Sequence, residues 1–448
     1  MTLKVSVSGV RGVVGESLDA ESLVRWAAAF GEWLPEGPVV VARDSRPSGP
    51  MVVAAVTAGL TSTGHDVIDA GMLTTPSTEM VVQESDAVGG VIVTASHNPV
   101  EWNALKLLRG DGLFLTAAEV DAVIERERAV SRRHVRAVDT GRVRTREDGQ
   151  DLHLDAILAS DLIDVDTIRS RGLRVVVDAV EGAGGEILPA LLDRLGVEYE
   201  CLYCGCTGLF PRDPEPRADH LGELADRVRE SGADLGLAVD PDVDRLALVD
   251  HGGVLLSEEL TLAVAADHVL AHSPGPVVVN LSTTLAVDAV AKRHGVQIHR
   301  APVGEANVVA RMLEVGARIG GEGNGGVILP ALHAGRDAVL GAALVLAAVA
   351  ARGSLGACLE VLPAASMVKD KLTLDETIDH PEEWRRAAGT LGPNGHWDES
   401  DGIRYALEDR WVHLRRSNTE PVLRIIAEAP SVDEARTVVD TVRGELGR

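Results

Sequence analysis

Four short stretches of the chain gather residues that could carry chemistry. The first, TASHNP, places Ser96 and His97 directly after the apolar run GGVIVTA, so we expect the hydroxyl at the carboxyl end of a strand. Ser96 is therefore a candidate nucleophile or carrier of a transferred group. The alternative is a simple turn, because Ser, Asn and Pro all favour turns, and this stretch alone leaves both open. It lacks the G-x-S-x-G spacing of hydrolases.

The second stretch, AVDPDVDRLALVD, contains three alternating carboxylates, Asp240, Asp242 and Asp244. Such closely spaced carboxylates repel one another unless a cation or strong donors neutralise them, and their oxygens suit Mg²⁺ or Ca²⁺. An EF-hand loop is excluded, because Arg245 and His251 stand where that loop needs Gly and Glu. The stretch predicts a divalent-cation site, with a solvated turn as the alternative.

The other two stretches carry side chains that suit sugars and phosphates. IGGEGNGGVILP sets Glu322 and Asn324 among glycines, which let the backbone approach a ligand, while the two side chains can bond hydroxyls. No Gly-Lys-Ser/Thr follows, so a nucleotide P-loop is excluded. LRRSNTEPVLRI gathers a set that can hold a phosphate: Arg415, Ser417, Asn418, Thr419 and Arg424. A plain glycine turn and a polar hairpin turn are the respective alternatives.

A repeated pattern of elements must position these residues. Val-rich runs such as PVVVARDSR, LRVVVDAVEGAGG and PVVVNLSTT are each followed by an Ala/Leu-rich helical pattern. Continuous apolar strands that alternate with helices predict parallel sheets covered on both faces, whose active sites lie at the carboxyl ends of the strands. The pattern then changes, because GIRYALEDRWVHLRRS and PVLRIIAEAP read as strands and SVDEARTVVDTVRGEL as a helix. This end of the chain predicts a small α+β domain.

Length and composition limit the function classes. The 448 residues predict roughly three domains, and the formal net charge of -25 excludes a generic nucleic-acid binder while allowing small phosphorylated ligands. The longest apolar run, 338–351, is shorter than the roughly 17 to 25 residues that span a bilayer, so it predicts a buried helix. The first residues show no signal-peptide pattern. We expect a cytoplasmic protein without a membrane partner.

In this order the four stretches resemble those of the α-D-phosphohexomutase superfamily, over nearly the whole chain. The supporting pieces SGVRGVVGE, ARDSRPSG, TTPST, NALK and TGLFPRDPEP also match. The resemblance implies an α/β fold of four domains around a central cleft. Three α/β domains with mixed, largely parallel sheets would be followed by the small α+β domain. The implied domains are 1–148, 149–253, 254–366 and 367–448.

The resemblance also implies a role for each matching residue near the transferred phosphoryl group. Ser96 would carry that group as phosphoserine, and the three aspartates with the phosphoserine would hold one Mg²⁺ per chain. Arg245 would lie beside the phosphate. Arg11 and Lys106 would face the reacting groups, with Lys106 as general acid/base through a pKa lowered by burial and charge crowding. His97 would shape the loop and hold the phosphate.

The remaining implied roles concern the substrate. Glu322 and Asn324 would bind sugar hydroxyls, and the existing phosphate of the substrate would be held by Arg415, Ser417, Asn418, Thr419 and Arg424. The implied reaction interconverts hexose 6- and 1-phosphates through a sugar bisphosphate. Because GEGNGG followed by HAGRDA resembles phosphoglucosamine mutases, glucosamine phosphate is the first choice of substrate. Mannose and glucose phosphates are the alternatives, and the oligomeric state stays open.

The chain departs from many of these relatives at two positions, and two rival functions stay open. Asn324 stands where many have Ser, and Gly326 where many have His, which leaves the identity of the base open. His333 is a candidate replacement, with a structural role as the alternative. The rivals are a metal-dependent sugar phosphatase, which would use an Asp nucleophile, and a catalytically silent sugar-phosphate sensor.

Overall fold

A computed structural model describes residues 3–129, 134–374, 380–417 and 422–447 of the chain. These residues group into two compact units, one made of Met1–Thr261 with Asn324–Leu355 and the other of Leu262–Gly323 with Gly356–Arg448. The fold class predicted from the sequence, α/β segments with a small α+β segment at the end, is confirmed. The domain boundaries given above stay a prediction.

The first unit begins with a mixed sheet in the order β1-β2-β6-β5-β3-β4-β7. Its strands are β1 (Lys4–Ser6), β2 (Gly9–Val13), β3 (Val39–Arg43), β4 (Val67–Met72), β5 (Gly89–Val93), β6 (Trp102–Arg109) and β7 (Val143–Thr145). The accompanying helices are α1 (Ala20–Trp33), α2 (Gly49–Ser62), α3 (Thr75–Gln83) and α4 (Ala117–Arg128). Strand β3 runs parallel to β4 and β5, whereas β5 and β6 are antiparallel. The continuous Val run of β3 is buried on both faces, as the sequence predicts.

A second sheet in the same unit has the order β11-β10-β8-β9. Its strands are β8 (Arg174–Asp178), β9 (Glu198–Leu202), β10 (Leu235–Val239) and β11 (Leu246–Asp250). The helices are α5 (Gly149–Leu158), α6 (Val165–Arg171), α7 (Gly184–Leu195) and α8 (Gly222–Ser231). Strand β8 is parallel to β9 and β10, and β11 returns antiparallel to β10. The return turn between β10 and β11 carries the three aspartates.

The next segment starts in the first unit, belongs to the second unit from Leu262 to Gly323, and is again part of the first unit from Asn324. Its elements are α9 (Glu259–His272), β12 (Val277–Asn280), α10 (Leu285–Arg293), β13 (Ile298–Ala301), α11 (Glu305–Val315), β14 (Ile319–Glu322), β15 (Gly326–Ile328) and α12 (Ala338–Arg352). Strand β12 pairs in parallel with β13 and β14. Helix α12, in the first unit, is buried along almost its whole length, which confirms the prediction for the longest apolar run.

The last segment, in the second unit, is an antiparallel sheet in the order β16-β20-β19-β18-β17. Its strands are β16 (Ser366–Thr373), β17 (His396–Asp398), β18 (Ile403–Ala406), β19 (Trp411–Arg416) and β20 (Val422–Ala429). The helices are α13 (Leu355–Leu359), α14 (Pro381–Ala388) and α15 (Val432–Glu445). The small α+β segment is therefore as predicted. Within the described ranges, every helix is too short or too polar to cross a membrane.

Candidate active site

Ser96 lies in the turn between β5 and β6, at the carboxyl end of a buried strand, as predicted. Its backbone φ is +50°, in the left-handed region that is uncommon for residues other than glycine, and the residue is only 3% exposed. The Ser96 N–H donates to Thr94 Oγ1 at 3.0 Å. Residues held in such a conformation cluster at functional sites, so the geometry favours a carrier residue over a simple turn.

A buried arginine that sequence reasoning missed holds this turn. Arg46, just after β3, donates to four backbone carbonyls, at 2.6 Å for the first three and 3.0 Å for the last: Ser96, Asn98, Pro99 and Trp102. Its Nε also pairs with Asp44 Oδ2 at 3.0 Å, and both side chains are fully buried. The ARDSRPSG piece contained the signal, because its charged residues follow the strand that neighbours β5 in the sheet.

The three aspartates lie in the turn between β10 and β11, and the structure brings them to Ser96. The Ser96 hydroxyl donates to Asp240 Oδ2 at 2.9 Å, across 144 positions of sequence. Val243, inside the turn, has a φ of +63°, which is an outlier for a β-branched residue. One ligand oxygen from each aspartate lies within 4.8 Å of those of the others. The turn therefore converges three buried carboxylates on one point.

Two of these aspartates each have one oxygen held and one oxygen left over. Asp242 Oδ2 accepts from Lys106 Nζ at 2.6 Å and from Thr75 Oγ1 at 2.7 Å, and Asp244 Oδ2 accepts from Arg336 Nη2 at 2.7 Å. Asp242 Oδ1 and Asp244 Oδ1 are buried and have no hydrogen-bond partner within the part of the chain that the structure describes. Buried carboxylate oxygens without a donor are costly, and hard cations bind them. The residues therefore fit Mg²⁺.

Lys106 differs from the expectation in its charge. Burial alone would lower the pKa of Lys106, but Asp242 and Asp244 outweigh burial and raise it above its ordinary value. Its Nζ lies 2.6 Å from Asp242 and 3.4 Å from Asp244. The predicted lowering of the Lys106 pKa is thus wrong, because two buried carboxylates stabilise the ammonium. In this structure Lys106 is a fixed positive charge beside the aspartates.

His97, Arg11 and Arg245 surround Ser96 and the aspartates. His97 Nδ1 lies 3.3 Å from Ser96 Oγ, and burial, followed by the charges of Arg245 and Arg11, lowers the pKa of His97 well below its ordinary value. Its imidazole is therefore neutral. Arg11 on β2 donates to Asn98 Oδ1 in the Ser96 turn. Arg245 pairs with Glu215 at 3.1 Å and lies 3.6 Å from Asp244 Oδ1.

A buried histidine network lies in the same unit. His153 Nε2 and His333 Nε2 contact one oxygen of Asp337 at 2.8 and 3.1 Å, and His333 Nδ1 lies 3.3 Å from Glu79. Burial would lower the pKa of His333, but the hydrogen bonds with Asp337 and Glu79 outweigh it and raise the pKa to about 10. The Gly335 N–H also lies 3.2 Å from His333 Nδ1, so both ring nitrogens of His333 have partners within the protein. The geometry supports the structural alternative for His333 and not a replacement base.

Glu322 and Asn324, the predicted sugar ligands, fall in different compact units. At the end of β14, Glu322 Oε1 accepts from Asn280 Nδ2 at 3.0 Å and from the Gly304 N–H at 2.9 Å. Asn324 Oδ1 accepts from the Gly326 N–H at 3.3 Å. The structure describes each of them without joining them into one site, so their sugar-binding role stays a prediction.

The predicted phosphate ligands are described in part. Arg415 on β19 lies opposite Arg424 on β20, and Arg415 Nε pairs with Asp401 at 3.0 Å. The Ser417 N–H donates to the Val422 carbonyl at 2.9 Å. Asn418 and Thr419 lie outside the described residues. The described part thus places two guanidinium-bearing residues side by side at the ends of two strands.

Comparison with known proteins extends these observations to the whole chain. Models of the phosphoglucomutase/phosphomannomutase family match it with α/β/α domains I, II and III and the C-terminal domain, at residues 2–132, 151–253, 258–365 and 368–445. The chain is 36% identical over 443 residues to a phosphoglucomutase/phosphomannomutase of Thermococcus kodakarensis, covering 96% of each. It is 35% identical to a probable phosphoglucosamine mutase of Methanopyrus kandleri, covering 97% of this chain and 95% of that one.

Solved structures give the same result for the fold. A phosphoglucomutase/phosphomannomutase family protein from Burkholderia thailandensis superposes with a TM-score of 0.87 at 27% sequence identity. The match covers 98% of this chain and 96% of that one. The likeness therefore extends through both compact units.

Proposed function

The chain belongs to the phosphoglucomutase/phosphomannomutase family and is a phosphohexomutase, and from that membership we propose that it converts hexose 6-phosphates to hexose 1-phosphates through a phosphoserine at Ser96 and a sugar bisphosphate. One observation carries the proposal. The Ser96 hydroxyl, in a strained turn, donates to Asp240 at 2.9 Å within a set of three buried carboxylates. A simple turn would not require that arrangement.

The metal site follows from the two buried oxygens that lack a donor. Asp240, Asp242 and Asp244, together with the phosphoserine, would hold Mg²⁺, which supplies positive charge to the phosphoryl group when it is bound. Lys106 and Arg245 provide fixed positive charges beside the same carboxylates. Such preorganised charges stabilise the negative charge that spreads over a transferring phosphoryl group.

The chain's own residues then account for the transfer. The bond between Ser96 Oγ and phosphorus breaks while a sugar hydroxyl oxygen forms its own bond to phosphorus. The one proton that the sugar hydroxyl loses is balanced by the one that Ser96 Oγ gains. The neutral His97 imidazole, 3.3 Å from Ser96 Oγ, can accept a hydrogen bond from the Ser96 hydroxyl that the transfer releases. Arg46 holds the turn so that Ser96 keeps its position. The second transfer reverses these changes from the other end of the bisphosphate, so no water is consumed.

For the substrate we propose glucosamine 6-phosphate. The GEGNGG and HAGRDA stretches support this choice, as does the 35% identity to the probable phosphoglucosamine mutase of Methanopyrus kandleri. The relative from Thermococcus kodakarensis, named for glucose and mannose, supports those hexose phosphates as the second candidates. Glu322 and Asn324 would contact the sugar, and Arg415, Ser417, Asn418, Thr419 and Arg424 would hold its existing phosphate.

A coupled mutase assay on the phosphates of glucosamine, mannose and glucose tests both parts of the proposal. We expect S96A to lose activity by about a thousandfold or more, and S85A, at a serine bonded to the Val82 carbonyl, to keep it. Intact mass should show one phosphoryl group, about 80 Da, on the wild type and S85A but not on S96A. If S96A kept full turnover and D240N lost it, the result would favour the phosphatase. Sugar binding without turnover in the wild type would favour the sensor.

A further inference from the structure

A side chain at position 326 would collide with the side chain of Arg336. A Cβ built at this position would lie 2.4 Å from Arg336 Cδ and 2.9 Å from Arg336 Cγ, which is closer than real Cβ contacts allow. Gly326 is not among the glycines with positive φ, so its backbone conformation does not demand glycine. The aliphatic part of the Arg336 side chain therefore occupies the space that a side chain at position 326 would need.

The Arg336 side chain leads from Gly326 to the Asp triplet. Its Nη2 donates to Asp244 Oδ2 at 2.7 Å, and both side chains are buried. Lys106 Nζ lies 3.4 Å from the same oxygen. Asp244 Oδ1, the other oxygen, has no hydrogen-bond partner within the described ranges, and its nearest charge is Arg245 Nε at 3.6 Å. Arg336 thus fixes one oxygen of the carboxylate and leaves the second for another ligand.

Asp242 shows the same arrangement with different donors. Lys106 and Thr75 hold Asp242 Oδ2, and Asp242 Oδ1 is the oxygen without a donor. Two neighbouring carboxylates are therefore each held through one oxygen, and the other oxygen of each has no donor within the described ranges. Arg336 holds one oxygen of Asp244 in the same way that Lys106 and Thr75 hold one oxygen of Asp242. The three donors come from distant parts of the sequence.

The turn that carries Arg336 is itself fixed. The next residue, Asp337, caps α12 by accepting from the Leu340 N–H at 2.9 Å. Its other oxygen contacts His153 and His333 in the buried network. The guanidinium therefore extends from a rigid point, and little conformational freedom is lost when it holds Asp244.

We propose that Arg336 is a positioning residue for the metal, which acts by orienting Asp244, and that Gly326 keeps its path open. The inference rests on the proposed function, because Asp244 is a metal ligand only if the triplet binds Mg²⁺. Residues that orient metal ligands by hydrogen bonds typically change metal affinity about 10- to 100-fold when they are replaced. The expected loss for Arg336 lies in that range.

The test measures Mg²⁺ affinity by calorimetry on full-length protein stripped of metal with a chelator. We expect R336A and G326A each to weaken binding about 10- to 100-fold, and R336K to recover part of the loss. R352A, the same change at the exposed far end of α12, should bind as the wild type does. Circular dichroism verifies folding. If R336A does not fold, the affinities of the two single variants G326A and R336K test the proposal instead.

Two comparisons make the result decisive. If G326A acts by displacing Arg336, it should add almost nothing in the R336A background, so additive losses would overturn the proposal. D244N separates this inference from the proposed function. Weakened binding in D244N with wild-type affinity in R336A and G326A would refute only the role of Arg336. Wild-type affinity in D244N would refute the metal site itself.

Discussion

Replacing Arg46 by lysine should loosen the Ser96 turn while keeping a positive charge. The Arg46 side chain makes five hydrogen bonds, one to Asp44 and four to backbone carbonyls of residues 96–102. A lysine ammonium has three protons on one nitrogen, so at least two of these acceptors lose their donor. Each buried acceptor left without a donor costs about 1–3 kcal/mol, which predicts a loss of about 2–6 kcal/mol.

Arg43 supplies the matched control for this change. It lies three residues earlier and is half-buried, and within the described residues its side chain donates one hydrogen bond, to the Asp44 carbonyl at 2.9 Å. R43K should therefore cost only about 0.5–1.5 kcal/mol. The two variants make the same chemical change in the same segment, and they differ in how many carbonyls depend on the guanidinium.

The hydrogen-exchange rates of the backbone amides in residues 94–102 measure how far the turn is loosened. A loss of about 2 kcal/mol or more in the free energy of local opening should speed their exchange by about thirtyfold or more in R46K. Because a displaced reacting group can cost about a hundredfold in rate, kcat should fall by a similar factor. If R46K exchanged and turned over as R43K does, Arg46 would not be what holds the turn.

Two further predictions concern the histidine network and the phosphate ligands. The pKa of His333, raised to about 10 in the folded protein, means that its stabilising effect is complete below about pH 6.5 and is lost as pH rises towards 10. The melting temperature of the wild type should therefore fall towards that of H333Q over this range, and a constant difference would contradict the pKa. Separately, R415M should raise KM about tenfold or more with a smaller change in kcat, whereas R410M, a control in the turn just before β19, should not. Equal KM values in the two variants would refute the phosphate role.

The sequence predicts well what depends on local pattern. Val-rich runs with helical patterns after them indicate parallel strands, and this places Ser96 and the aspartates at strand ends. The structure then brings Ser96 within 2.9 Å of Asp240. Residue types alone indicated a cation site, because three nearby carboxylates need neutralising charge.

What the sequence does not encode locally is the support for these residues. Arg46 contacts Ser96 across 50 positions, and Arg336 contacts Asp244 across 92. Periodicity carries no information about such pairs. The charge of Lys106 was mispredicted for a related reason, since burial and nearby carboxylates act in opposite directions and only the 2.6 Å distance to Asp242 decides which prevails.

The most direct test of the account follows a labelled phosphoryl group. Protein carrying ³²P on Ser96 would be mixed with unlabelled hexose 6-phosphate and quenched at short times. We expect the label to leave the protein and appear first in the sugar bisphosphate and then in the hexose monophosphates, with inorganic phosphate at background. Label that stayed on the protein during turnover, or that was released as inorganic phosphate, would contradict the role of Ser96 as the phosphoryl carrier.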